Sequence, residues 1–398
     1  MNLKFHIKIA LGYFFIVALL GVFMRIFQVV DISFNYKNIL HAHSHIALLG
    51  WVYTAITTLI YHFYISDKKL EKKYKMLFWS TQITIIGMLL TFPFIGYALF
   101  SIIFSTLFLI ASYFFVWFFL KHTSGKQKET NSYKLIRASL WFMVFSSLGP
   151  WVLGVIMNTL GSTSSWYRNA IYFYLHFQYN GWFIIALFGM LFFVFEKYSI
   201  HIAKKVFKQF FWLLNIGVIL TFFLSVLWMK PHSGFYILAG IGSFLQIAAF
   251  LILLAIVFKN KVVLRKSLSR IEGTLLKTVT IIFIGKLIFQ VLGAFPSIAE
   301  MISNNLDFVI AYLHWVFLGV VTISIFAFLH QFKLWVISKK TVIIYLVAFI
   351  STEAFLFYKG TIVWLGGTLL SSYYTLLFIA STIFLIAIVG LFFSKETR

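Results

Sequence analysis

Residues Leu40 to Ala55 read LHAHSHIALLGWVYTA. Three histidines at alternate positions open a run that is otherwise apolar enough to enter a lipid bilayer. The same texture extends outward in both directions. Of 398 residues, 62% are hydrophobic and 21% aromatic, and only 11% are charged. A soluble domain of this size has too little interior to hide so much apolar surface, and apolar runs of about 20 residues recur along the chain, so the sequence is that of a polytopic membrane protein. There is no cysteine, which excludes disulfides, iron–sulfur clusters, thiolate metal sites and cysteine nucleophiles.

The net charge of +23 invites a nucleic-acid partner until the charges are placed. Most of the 33 lysines and arginines fall at the termini and in the connections 66–75, 121–137, 197–208, 259–277 and 333–340. The intervening connections carry single cations at Lys37, Arg168, Lys230 and Lys359. This alternation is the positive-inside pattern. It predicts a multi-pass protein of a cytoplasmic (inner) membrane, both termini cytoplasmic, with the bilayer rather than nucleic acid as partner. No small-residue cleavage site follows the first span, which is expected to be a retained helix. Hydropathy predicts an all-α protein of twelve spans, about 7–28, 41–65, 75–95, 98–120, 134–160, 169–195, 205–229, 234–258, 271–296, 308–332, 341–358 and 370–394. No linker is long enough to separate a soluble domain, so residues 1–398 are expected to form one membrane domain.

Aligning the histidines exposes a period. The second span has HIALLGW from His45, the sixth HFQYNGW from His176 and the tenth HWVFLGV from His314. In each, four residues separate the histidine from a glycine: Gly50, Gly181 and Gly319. Three four-helix arcs are expected, with internal repeats at about 1–121, 134–258 and 271–394. The three spans run in the same direction. His176 and His314 are expected roughly 10 Å inside the outer face, at a rise of 1.5 Å per residue, with His43 and His45 near the same level.

Intramembrane histidines turn inward and find partners. One reading is interhelical hydrogen bonding, for example between His176 and Gln178, Tyr179 or Asn180. The other is a metal centre, since neutral imidazole suits zinc, copper and iron, and heme iron is commonly held by histidine. Residues two apart on an α-helix point about 200° from each other. His43 and His45 therefore serve opposite sides of one helix, which suits two centres flanking the second span. His41 shares a face with His45 but lies at the helix start, within reach of water and headgroups.

HSHIALLGWV, from His43 to Val52, resembles the tenth helix of the heme–copper oxidase catalytic subunit, above all its cbb-type branch. There a His-x-His supplies axial ligands to two hemes, one on each side. HAHSHIALLGW also resembles the His-Ala-His motif of the NnrS family, twelve-span heme and copper proteins linked to nitric-oxide tolerance. The close match covers about ten residues; the twelve-span, three-arc plan extends it to the whole chain more weakly. The resemblance implies that His45 is an axial ligand of a six-coordinate heme b, with His176 opposite. It implies that His43 ligates a second heme, with His314 facing that iron or marking a copper site. It further implies one or two hemes b, copper as a further option, and an electron-donor protein or oxidase subunits as partners. The chain departs from the oxidase in carrying its motif in the second span. It also lacks an adjacent histidine pair on spans 7 and 11, so a complete copper site is not evident.

Other polar residues fall within spans. Lys286 lies in IIFIGKLIFQ with Gln290 one turn on, and Glu353 in AFISTEAFLF. They are expected to form a proton path, to meet heme propionates, or to pair with each other. Arg25 and Arg168 sit near the outer ends of spans 1 and 6, as propionate partners or interface anchors. His62 and His330 fall at the opposite ends, where snorkelling is expected. His6, His122 and His201 read as terminal or loop residues, and His232 as a surface residue. Three functions follow: a heme protein for electron transfer or for nitric-oxide or oxygen binding or redox chemistry, with oxidoreductase activity as one option; a transporter with a polar intramembrane site; or a factor delivering heme or copper to an oxidase.

Overall fold

The computed structural model describes residues 2–65 and 67–394. No strand occurs among them, and twelve helices are long and apolar enough to cross a membrane. They are α1 (Leu3–Ile26), α2 (Tyr36–Tyr64), α3 (Lys68–Ile95), α4 (Leu99–His122), α5 (Asn131–Thr159), α6 (Ser165–Lys197), α7 (Lys204–Met229), α8 (Ser233–Lys259), α9 (Arg270–Gly293), α10 (Leu306–Gln331), α11 (Lys339–Trp364) and α12 (Tyr373–Phe392). The protein is an all-α polytopic membrane protein. In lipid a helix satisfies its backbone internally except at its ends. Those ends are capped by side chains written into the connections. Asn2, Asn35, Thr130, Ser164, Asn305 and Ser338 each accept a hydrogen bond from the first turn of the helix that follows. Ser269 and Glu272 close a capping box on α9.

The helices form two compact units, residues 1–124 with 325–398, and residues 125–324. The division between them falls inside α10. Burial separates the helices by role. In α2 and α6, 89% of the most apolar window is buried, against 33–50% in the other ten. α2 is thus the interior helix of the first unit and α6 that of the second. Their neighbours turn much of their apolar surface outward, as lipid-facing helices do.

The interior helices are not regular. α2 is π-helical over Ile46–Tyr53, α6 over Phe177–Ile184 and α10 over Trp315–Thr322. Each segment starts at the residue after a repeated histidine and has the same length. Such turns are rare and are frequent at functional sites. Where the sequence predicts plain helices, the structure has one widened stretch three times, at one offset from His45, His176 and His314. The repeated glycines explain part of this packing. A Cβ on Gly50 would stand 2.9 Å from the Tyr13 ring of α1, and one on Gly181 2.7 Å from the Phe142 ring of α5. In both units an aromatic ring of the preceding span rests on the bare backbone of the π segment. The third instance inverts the partners: Gly285 of α9 makes room for the Trp315 ring of α10.

Several helix ends differ from the expected spans: α3 begins at Lys68, seven residues early, and α11 ends at Trp364, six residues late. α2 begins at Tyr36 and α6 at Ser165, each several residues early. His176 therefore lies about 16 Å along its helix at 1.5 Å per residue, further from the helix start than anticipated. His6, expected in the terminus, is buried within α1 with its ring stacked 3.6 Å from that of Phe78.

Candidate functional site

α2 presents its histidines to two different neighbours. Its first turns, Tyr36–His45, are regular α-helix, so alternate residues diverge as helical geometry requires. His43 faces α1, where its Nδ1 lies 3.0 Å from the Val17 carbonyl oxygen. A carbonyl can only accept, so Nδ1 carries the proton and donates. The Nε2 lone pair is then left to a ligand; no described residue is recorded as taking it. A ring nitrogen tied to a backbone carbonyl, with its partner nitrogen presented, is the arrangement that orients metal-ligating histidines. Gly21 makes room for the His43 ring, because a Cβ there would stand 3.3 Å from His43 Cε1.

His45 faces α3 and the turn that follows it. Its Nδ1 donates to the His41 carbonyl at 2.8 Å, and its Nε2 accepts from the Tyr97 hydroxyl at 3.1 Å. The ring lies 4.3 Å from that of Phe92. Tyr97 belongs to the short turn after α3 and is half exposed; the preceding Gly96 has φ +58°, a left-handed value that favours glycine. A Cβ at Gly96 would meet Asn38 Oδ1 at 2.4 Å. The hydroxyl thus caps the nitrogen that a metal would use. The His41 ring also lies against Tyr97, 4.6 Å between centres. Sequence reasoning missed Tyr97, which carries no periodic signal and is brought to His45 by the α3–α4 turn alone.

His176 is placed differently. Its Nε2 donates to the Val218 carbonyl at 2.9 Å, and its Nδ1 accepts from Asn180 Nδ2 at 3.3 Å. Both nitrogens are engaged by its own unit, as the hydrogen-bonding reading anticipates. The acceptor has a local cause. α7 changes to a 3-10 helix over Phe222–Met229, and the Phe222 N–H turns to Ile219 instead of Val218. The Val218 carbonyl is thereby released from the α ladder and taken by His176 and, at 3.1 Å, by the Thr221 hydroxyl.

From there a buried polar network crosses the second unit. Gln246 donates to the Thr221 hydroxyl at 2.8 Å, and Lys286 Nζ donates to Gln246 Oε1 at 3.0 Å and Gln290 Oε1 at 2.9 Å. The expected pairing of Lys286 with Glu353 is thus replaced, on the lysine side, by two glutamines. Glu353 lies in the first unit, 2% exposed, and neither carboxyl oxygen has a hydrogen-bond partner among the described residues. Tyr179 sits in the second π segment, 6.0 Å from the His176 ring, 5.8 Å from Phe317 and 6.2 Å from Tyr312. His314 is partly buried at the head of the third π segment.

Arg168 stacks on Trp228 at 4.3 Å and donates to the Tyr172 hydroxyl, an anchor held by aromatic residues. His232 is exposed and caps α8 through Gly234. Among the described residues no three His, Cys, Asp or Glu side chains gather as a metal cage. A protein-ligated copper ion asks for such a cage. Porphyrin iron brings four nitrogens of its own and asks the protein for one or two imidazoles, which the His43 arrangement fits. No family model matches the chain, and no curated protein is significantly similar to it.

Proposed function

We propose that the protein is a heme-binding integral membrane protein of heme–copper oxidase-like type, working in electron transfer or in binding a small gas such as nitric oxide or oxygen. The observation that carries this reading is the His43 ring, oriented through Nδ1 by the Val17 carbonyl with Nε2 offered to a ligand. A heme b bound there supplies a one-electron couple and, with one axial position open, a site for gas. His43 would hold the iron, with its ring fixed by Val17 and accommodated by Gly21, and Arg25 would meet the propionates. His45 serves a second porphyrin on the opposite side of α2 once Tyr97 swings away. His176, with both nitrogens taken, is left as a structural partner. His314 stays the candidate from the third arc, for a second axial position or for copper. In this reading the protein lies in a cytoplasmic membrane with its basic connections and termini inside, and an electron-donor protein or oxidase subunits are its partners.

The buried Lys286 network and the unpartnered Glu353 favour a second reading, a transporter with a polar intramembrane site. An absorption spectrum of the purified protein separates the two. Heme gives a Soret band and sharp reduced α bands that His43→Ala weakens, and carbon monoxide shifts the band where a coordination position is open. An intact but colourless protein, produced with heme precursor in excess, would sink the heme reading and leave transport.

A further inference from the structure

A small cleft in the first unit lies away from the histidines. It opens nearer the basic end of α2 and α3, between Tyr53, Thr57, Tyr74, Thr81, Gln82 and Phe115. Leu77 and Phe78 complete the lining, so five of its eight residues carry a polar side-chain atom, which is unusual between lipid-embedded helices. The threonines do not satisfy one another: Thr57 donates to the Tyr53 carbonyl at 2.7 Å and Thr81 to the Leu77 carbonyl at 2.9 Å, each within its own helix. Gln82 is 1% exposed, and its Oε1 has no hydrogen-bond partner among the described residues. The buried Tyr74 hydroxyl lacks one too, as does Nδ1 of His6, whose ring lies 5.7 Å from that of Tyr74. Two unmet polar atoms, on Gln82 and Tyr74, thus line one small cleft, with His6 Nδ1 beyond the Tyr74 ring.

We propose that this cleft is a built water site, in which ordered water bonds Gln82 Oε1 and the Tyr74 hydroxyl. Polar cavities with unmet groups hold water, whereas cavities that stay dry are apolar. The cleft, with a volume of about 10 Å³, is too confined for a solute larger than water. It is also closed toward the histidines. Along the same face of α3 come Ile85, Met88 and Phe92, each fully buried, and Phe92 seals against the His45 ring. The water is a dead-ended pocket that exchanges with the basic end and stops short of His45.

X-ray radiolysis of the full-length protein in detergent or lipid tests this without any cofactor, so it stands or falls apart from the heme reading. Hydroxyl radicals made from bound water mark the side chains beside it. Tyr53 and Tyr74 are expected to be labelled several-fold faster than Tyr345 and Tyr373, which are equally buried in the same unit. Gln82→Leu, or Gln82→Met if the first variant fails to fold, is expected to bring Tyr74 down to their rate. Equal labelling of all four tyrosines, or a Tyr74 rate untouched in the folded variant, overturns the water site. Labelling of Phe92 or His45 as fast as Tyr74 overturns the dead end.

Discussion

His43 and His45 share a sequence motif and differ in what holds them. His43 is oriented by the Val17 carbonyl of a neighbouring helix, whereas His45 is tied to its own His41 carbonyl and capped by Tyr97. Tyr97→Phe should therefore act on the His45 side alone. Because Tyr97 is half exposed, the lost hydrogen bond should cost about 0.5–1.5 kcal/mol at most. The His45 Nε2 becomes available, and heme content per chain should rise over wild type after expression at limiting heme. A fall in heme content, with the fold intact, would mean that Tyr97 supports the site and does not close it. Lys286 offers a test of stability. Lys286→Met leaves the Gln246 and Gln290 oxygens buried without their donor, at about 1–3 kcal/mol each. Thermal unfolding should show that loss, and a triple replacement of Lys286, Gln246 and Gln290 by Met, Met and Leu should recover most of it. No recovery in the triple variant would show that the network does more than satisfy itself.

The π segments are properties of elements, and the glycines measure them. Gly50→Ala and Gly181→Ala drive a Cβ into the Tyr13 and Phe142 rings, and such overpacking costs about 1–3 kcal/mol. Gly154→Ala in α5 is the control. Nothing lies within 4 Å of its Cβ position, so it should be neutral or stabilise by up to about 1 kcal/mol through helix propensity. Equal melting temperatures for all three variants would remove the packing account of the repeated His-to-Gly spacing. That spacing was visible in the sequence; the widened turn was not. Ile46–Tyr53, IALLGWVY, has no proline and no polar break. A π turn there reflects how the flanking helices seat Tyr13 against Gly50, information that the local string does not hold. The 3-10 end of α7 is a similar case, since its consequence is the Val218 carbonyl delivered to His176, far away in sequence.

At the scale of the chain, the alternation of basic and neutral connections predicts sidedness. A periplasmic reporter enzyme fused in the neutral connections, after Met229 or Leu365, should be active. Fused in the basic ones, after Thr123, Ser199 or Asn260, it should be silent. The reverse pattern, or activity at both sets, would contradict the cytoplasmic placement of the termini. The two compact units were not foreseen. Sequence similarity groups spans by descent-like period, whereas contacts group them by which surfaces meet, and α10 is divided between the units despite carrying the third repeat.

Composition, charge and hydropathy were enough for the membrane class and the twelve spans. The reason is that keeping lysine out of lipid and filling a span of fixed thickness are constraints on a linear string. Helical angle alone also sent His43 and His45 to opposite faces. Which ring nitrogen is protonated, whether Lys286 meets a carboxylate or two amides, and whether Tyr97 covers His45 depended on groups far apart in the chain. Hydrogen bonds are short and directional, so only the packed helices could decide them.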